Sequence, residues 1–237
     1  MDITPDTIII FQWNGIQINA TIFYTWVVMA LLIFISWLAT RNLTVGPKIN
    51  RWQNFLEVIV GYIRQQAREI TQQNPDPFIP FLGTLFLFIS ISNLLAIIPG
   101  YQPPTGSLST TSALAICVFF AIPIFGIAKK GGLAYFKHYL EPSIFMAPFN
   151  VIGDFSRTLA LAVRLFGNVM SGTLIVGVLL IITPLFVPII MQVLGLLIGQ
   201  IQAYIFTVLA TVYIASATRV ENKLEKIEQK EGSKEDE

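Results

Sequence analysis

Three stretches of this chain, Ala20 to Thr40, Pro80 to Pro99 and Ser109 to Ala128, are apolar over close to the ~20 residues that carry a helix across a ~30 Å hydrocarbon core. Two further runs, Phe149 to Thr183 and Leu185 to Ser216, are well over half as long again as a perpendicular crossing requires. At about 1.5 Å per residue the first would measure roughly 50 Å if wholly helical, so it must tilt steeply, bend or run partly along the membrane. Pro184 and Pro188 stand at the junction of the two long runs, where missing N–H groups favour a break and a turn. The pattern predicts an all-α polytopic membrane protein with five transmembrane helices, the last two a long tilted hairpin. It reads as a single integral membrane domain over residues 1–237, with spans at 20–40, 80–99, 109–128, 149–183 and 185–216.

Composition agrees with this and excludes other classes. Hydrophobic residues make up 54% of the 237 and charged residues 12%, about half the share of a soluble domain. A net charge of +1 with no clustered basic surface argues against a nucleic-acid partner. Cys117 is the only cysteine, so neither an intramolecular disulfide nor a thiolate metal cage is available. The first twenty residues carry two aspartates and no basic residue, unlike a secretory signal peptide, and read as mature chain.

Lys and Arg fix the orientation. The segment before Ala20, the stretch between Pro99 and Ser109 and the turn at Pro184 hold none. The alternate segments hold Arg41, Lys48, Arg51, Arg64 and Arg68, then Lys129, Lys130 and Lys137, then Arg219, Lys223, Lys226, Lys230 and Lys234. By the positive-inside rule the N-terminus lies outside and the C-terminus in the cytoplasm. Between the first two spans, Trp52, Phe55, Leu56, Ile59, Val60, Ile63 and Ile70 recur at helical spacing, predicting an amphipathic helix at the cytoplasmic interface. It is either a surface helix or a docking site for a partner subunit. The tail, 219–237, alternates Lys and Glu and reads as a solvated end.

Arg157 and Arg164 are left over, both inside a membrane run. An arginine near the bilayer centre costs at least ~2.5 kcal/mol on insertion scales, so its default reading is functional, facing a partner or a water-filled cavity. Arg164 falls near the middle of its run, whereas Arg157 is two turns nearer the cytoplasm and within reach of Asp154. Stepping by three or four from Asp154 gives Arg157, Ala160, Arg164, Asn168 and Ser171, one polar face along the helix, with Leu161 and Leu165 at its edge. Gly167, Ser171 and Gly172 would equally serve close helix approach. The last run shows a similar face through Gln192, Gly195, Gly199 and Gln202, with Gln200 alongside, and a hydrogen bond across the hairpin from Arg164 to Gln202 is the natural pairing.

Covalent catalysis finds no equipment here. His138 is the sole histidine, and no phosphate-cradling glycine loop, metal-ligand cluster or nucleophile–base pair is visible, so no cofactor or metal is expected. Arg164 has no negative charge of comparable depth in its own run, which implies that another molecule supplies the compensating carboxylate.

At "RLFGN", Arg164 to Asn168, followed by "GQIQAYIFTVLATVYI", Gly199 to Ile214, the sequence resembles subunit a of the rotary F-type ATP synthases. The resemblance extends to span number, orientation, interfacial helix and long hairpin. It implies a membrane stator beside a ring of c subunits, held by peripheral-stalk b subunits and coupled through the complex to the F1 head, with no ATP chemistry in this chain. The family's essential arginine falls on Arg164, its nearby asparagine on Asn168, its last-helix glutamine on Gln202 and its earlier basic position on Arg157. Two offset aqueous half-channels would load and unload ring carboxylates with protons or sodium ions, and Arg164 would block direct passage between them. Many members carry a glutamate nine residues after the arginine, and some a histidine in the last helix. Here those places hold Thr173 and Gly195. Asp154, Asn168, Ser171, Thr173 and Gln200 remain as polar lining, and both proton and sodium coupling stay open. The host membrane expected is the bacterial plasma membrane, or a thylakoid in a photosynthetic source. Two rivals compete with this reading: a self-contained secondary transporter or channel in which Arg164 binds an anionic substrate, and a structural anchor in which the arginines pair with a partner.

Overall fold

The structure is a computed structural model and describes residue 6 and residues 9–13, 16–41, 51–71, 74–98, 100–132, 146–183 and 186–219. Lys48, Lys137, His138, Pro184 and the tail beyond Arg219 lie outside the described residues, as do the side chains of Trp52, Phe55 and Leu56.

Among the described residues six helices carry the fold: α1 (Ala20–Thr40), α2 (Arg51–Thr71), α3 (Ile79–Leu94), α4 (Leu108–Lys130), α5 (Met146–Ile182) and α6 (Val187–Arg219). All but α2 contain a stretch long and apolar enough to cross a membrane, which makes the chain a helical, polytopic membrane protein of five spans. Proline placement explains two boundaries. Pro80 sits in the first turn of α3 and Pro188 in the first turn of α6, where a missing N–H breaks no helical bond. Pro188 therefore starts a helix instead of breaking one. The second span is shorter as an α-helix than the apolar run suggests, because α3 tightens into a 3-10 turn at Leu95–Ile97.

One element was not foreseen. Ile9–Trp13 (β1) and Ile16–Asn19 (β2) form an antiparallel pair with Phe11 opposite Ile18 and Trp13 opposite Ile16. Asp6, just before it, is tied to the N-terminal ends of two helices, accepting from Thr21 Oγ1 at 2.7 Å and from Ser107 Oγ at 2.7 and 2.8 Å. Ser107 caps α4, accepting from the Ser109 N–H at 3.2 Å.

The core lies where α3, α4, α5 and α6 converge, around Leu82, Ile89, Val118, Leu161, Leu165 and Phe206. Helix α2 docks Ile63 and Ala67 inward, pairs Arg64 with Asp76 at 2.7 Å, and accepts a hydrogen bond on Gln66 from the Tyr204 hydroxyl at 3.0 Å. Val60, on the apolar stripe, remains exposed, as do Val58 and Tyr62 beside it, so α2 keeps apolar surface that the described residues do not cover. The least covered helix is α5. Only 6% of its most apolar stretch is buried by the rest of the chain, against 33% for α3, α4 and α6.

Candidate functional site

Helix α5 turns Thr158, Leu161, Ala162 and Leu165 into the core. A helix repeat of 3.6 residues then places Arg157, Ala160, Arg164, Asn168 and Ser171 on an adjoining face, and all five are exposed. Leu161 and Leu165, which border this face in the sequence, belong to the core. Other sides of the hairpin are oily, with Phe155, Leu159 and Val163 exposed on α5 and Leu197, Ile198 and Ile201 exposed on α6. Among the described residues Arg164 has no ion-pair or hydrogen-bond partner.

The expected bond between Arg164 and Gln202 is replaced by another. Asn168, one turn along from Arg164, donates Nδ2 to Gln202 Oε1 at 2.8 Å. Gln202 is 2% exposed, and its buried Nε2 has no partner. A guanidinium can only donate, so the free amide nitrogen of Gln202 offers it nothing. Asn168 and Gln202 bridge the hairpin, and Arg164 is left uncommitted.

Gln200 sits apart from this group. It faces α3, where Ser90 Oγ donates to its Oε1 at 2.5 Å and its Nε2 returns to the Ser90 carbonyl at 3.0 Å. Toward the N-terminal end of α5 Asp154 Oδ1 stands 3.5 Å from Arg157 Nη1, with Arg157 well exposed. Thr173 donates to its own helix at the Val169 carbonyl, 2.9 Å, and Ser171 to the Asn168 carbonyl, 3.2 Å.

A cavity of about 440 Å³ opens between α5, α6 and the segment joining α3 to α4. Asn93, Tyr101, Gln102, Asn168, Thr173 and Gln192 give it its polar wall. Tyr101 Oη and Gln102 Oε1 are buried without a partner, two polar atoms suited to water in a space large enough for several molecules. Burial, and secondarily the neighbouring Tyr24, push the Tyr101 phenol up, so it meets the cavity as a neutral hydroxyl. No carboxylate, imidazole or cationic side chain is among the described lining residues. Gly195 also lines the space, and a Cβ there would meet nothing within 4 Å.

The cavity thus joins Asn168 and Thr173, singled out from sequence, to Asn93, Tyr101 and Gln102, which were not. Their signal was present as "SISN" and "YQ", polar groups at the outer end of an apolar run.

Residues 22–215 match the sequence family described as ATP synthase A chain. Among curated relatives, ATP synthase subunit a 2 of Acaryochloris marina is 61% identical over 93% of this chain and 94% of its own length. ATP synthase subunit a 2 of Picosynechococcus sp. is 57% identical over 98% of this chain and its full length, and ATP synthase subunit a of Albidiferax ferrireducens is 55% identical over 92% and 95%. With the arginine-bearing hairpin of a five-span membrane protein already described, these likenesses establish that the chain belongs to the ATP synthase subunit a family.

Proposed function

We propose that the chain is the ion-translocating stator of a rotary F-type ATP synthase, working against a ring of c subunits and carrying out no ATP chemistry itself. The observation that carries this reading is Arg164: a cation exposed in the middle of an apolar spanning helix, without an acidic partner among the described residues. A charge so placed in lipid calls for an anion from outside the chain. A carboxylate on a neighbouring rotor answers that need.

The steps follow from electrostatics. A ring carboxylate crosses lipid only when neutralised by a proton or sodium ion, because a bare charge there is too costly. Brought beside Arg164, the carboxylate is favoured in its ionised form and releases its ion. The cavity bounded by Asn168, Thr173 and Gln192 serves as the outer half-channel, and the Asp154–Arg157 end of α5 borders the inner one. With neutral amides and hydroxyls as its polar wall, the outer path carries its ion through water and not along a titrating relay. Either ion can travel so; protection of the ring carboxylate from carbodiimide by sodium distinguishes them. Asn168 and Gln202 hold the hairpin together and, because Asn168 takes the Gln202 oxygen that a guanidinium could have used, keep Arg164 free for the rotor. The b subunits and the F1 head complete the machine, and the bacterial plasma membrane is its host, or a thylakoid if the source is photosynthetic.

Replacing Arg164 tests the reading directly. In the intact complex Arg164→Ala should abolish ion-driven ATP synthesis while hydrolysis by the detached head persists. Full coupling in that variant would overturn it.

A further inference from the structure

The seam between α3 and α6 carries more polar chemistry than the hairpin face, and Ser90, Asn93, Thr105 and Gln200 are all partnered on it, while the buried Ser92 Oγ of α3 has no partner among the described residues. Asn93 is 4% exposed and uses both ends of its amide: Nδ2 donates to the Gly199 carbonyl at 2.9 Å, and Oδ1 accepts from Thr105 Oγ1 at 2.8 Å. Thr105, in the 3-10 turn Pro104–Gly106, is fully buried. Three elements, α3, α6 and the outer connection, are therefore locked through one side chain. The helices touch here: a Cβ added to Gly199 would stand 3.1 Å from both Cβ and Cγ of Asn93. Asn93 and Gly199 are cavity wall, whereas Ser90 and Gln200, one turn deeper on α3 and adjacent on α6, are absent from the lining and bond to each other.

We infer that Asn93, Thr105 and Gly199 form a lateral seal that ends the outer cavity. The inference rests on reading that cavity as the outer half-channel. An ion that has entered from outside then leaves only past Asn168, toward the exposed face of α5 and the rotor. Movement down the α3–α6 seam would bypass Arg164 altogether, so Arg164 cannot guard against it. An ion needs polar groups to replace its water, and the next ones along the seam are already satisfied by one another. An apolar contact would also close the gap. It would not pin the α6 backbone and the Pro104–Gly106 turn to the same point, as the two-ended amide does.

The test uses the intact complex in vesicles, with Cys117→Ser as background; Cys117 is exposed on α4 and outside the site. With the rotor blocked by carbodiimide, Asn93→Ala and Thr105→Val should raise passive proton and sodium permeability about tenfold or more, the rate factor expected when a hydrogen-bonded closure is lost. A charged, impermeant thiosulfonate added from outside, read by the mass of this chain, should label Gly195→Cys readily. Ser90→Cys should label slowly while Asn93 is present, and roughly tenfold faster with Asn93→Ala. The seal is refuted if assembled Asn93→Ala and Thr105→Val complexes stay as tight as the parent. It is equally refuted if Ser90→Cys labels as fast as Gly195→Cys with Asn93 intact, a comparison that holds even where Asn93→Ala fails to assemble. Failure of Gly195→Cys to label would instead strike the half-channel reading beneath it.

Discussion

The exposed face of α5 and the α3–α6 seam solve opposite problems with polar groups at membrane depth. On the seam, Ser90, Asn93, Thr105 and Gln200 are partnered within the chain, and Gln192 adds a bond to the Ala96 carbonyl at 3.1 Å. On the face, Arg164 is exposed and uncommitted. A polar group satisfied at home contributes to fixing the fold, whereas one left unsatisfied in oil is an invitation to something outside. The contrast separates what holds this protein still from what it works against.

The largest effect that could break the comparison is at Arg164. Its replacement by Ala should eliminate coupled synthesis yet leave thermal stability in detergent within about 0.5 kcal/mol, as for a side chain with no internal partner. Arg164→Lys should rescue little of the coupling, because an ammonium cannot reproduce the guanidinium fork. A stability loss as large as the functional one would show Arg164 to be structural and erase the distinction.

On the seam the order reverses. Gly199→Ala forces a methyl against Asn93 and should destabilise the chain by about 1–3 kcal/mol, as overpacking does. Gly195→Ala, one turn away and facing open space, should change stability by no more than about 0.5 kcal/mol. Equal melting shifts for the two glycines would mean the seam is not close-packed. A smaller effect is expected between the regions, at the amide bridge of the hairpin. Gln202→Leu removes one interhelical hydrogen bond and should lower coupled synthesis by about three- to tenfold. Smallest is Arg157→Ala, whose exposed pairing with Asp154 at 3.5 Å should be worth no more than about a twofold change in synthesis rate.

How much of this could be read from residues alone follows the same division. The spans were legible because lipid demands long apolar runs, and the polar face of α5 because Asp154, Arg157, Arg164 and Asn168 recur at helical spacing. The partner of Gln202 was not. Periodicity says which residues share a face of one helix, but not which side chain across a hairpin reaches an acceptor first, and Asn168 reaches it ahead of Arg164. The seam was missed because Ser90, Ser92 and Asn93 are neutral and few, too weak a signal to interrupt an apolar run. The strand pair was legible in principle: "FQWNGIQIN" alternates about an Asn-Gly, a strong short-range hairpin signal, though a short one beside the long apolar runs.

The length of α5 has a consequence for timing. A 35-residue stretch kept within ~30 Å of hydrocarbon must travel roughly 40 Å sideways while it rises. Depth along this helix is therefore also azimuth around any cylinder turning beside it. A group riding on such a cylinder at fixed height would meet the helix at one place only, and groups carried at other heights would meet it at other moments. Sequence order along a single inclined rod would then translate into an order of encounters, with Arg164 between the earlier and the later.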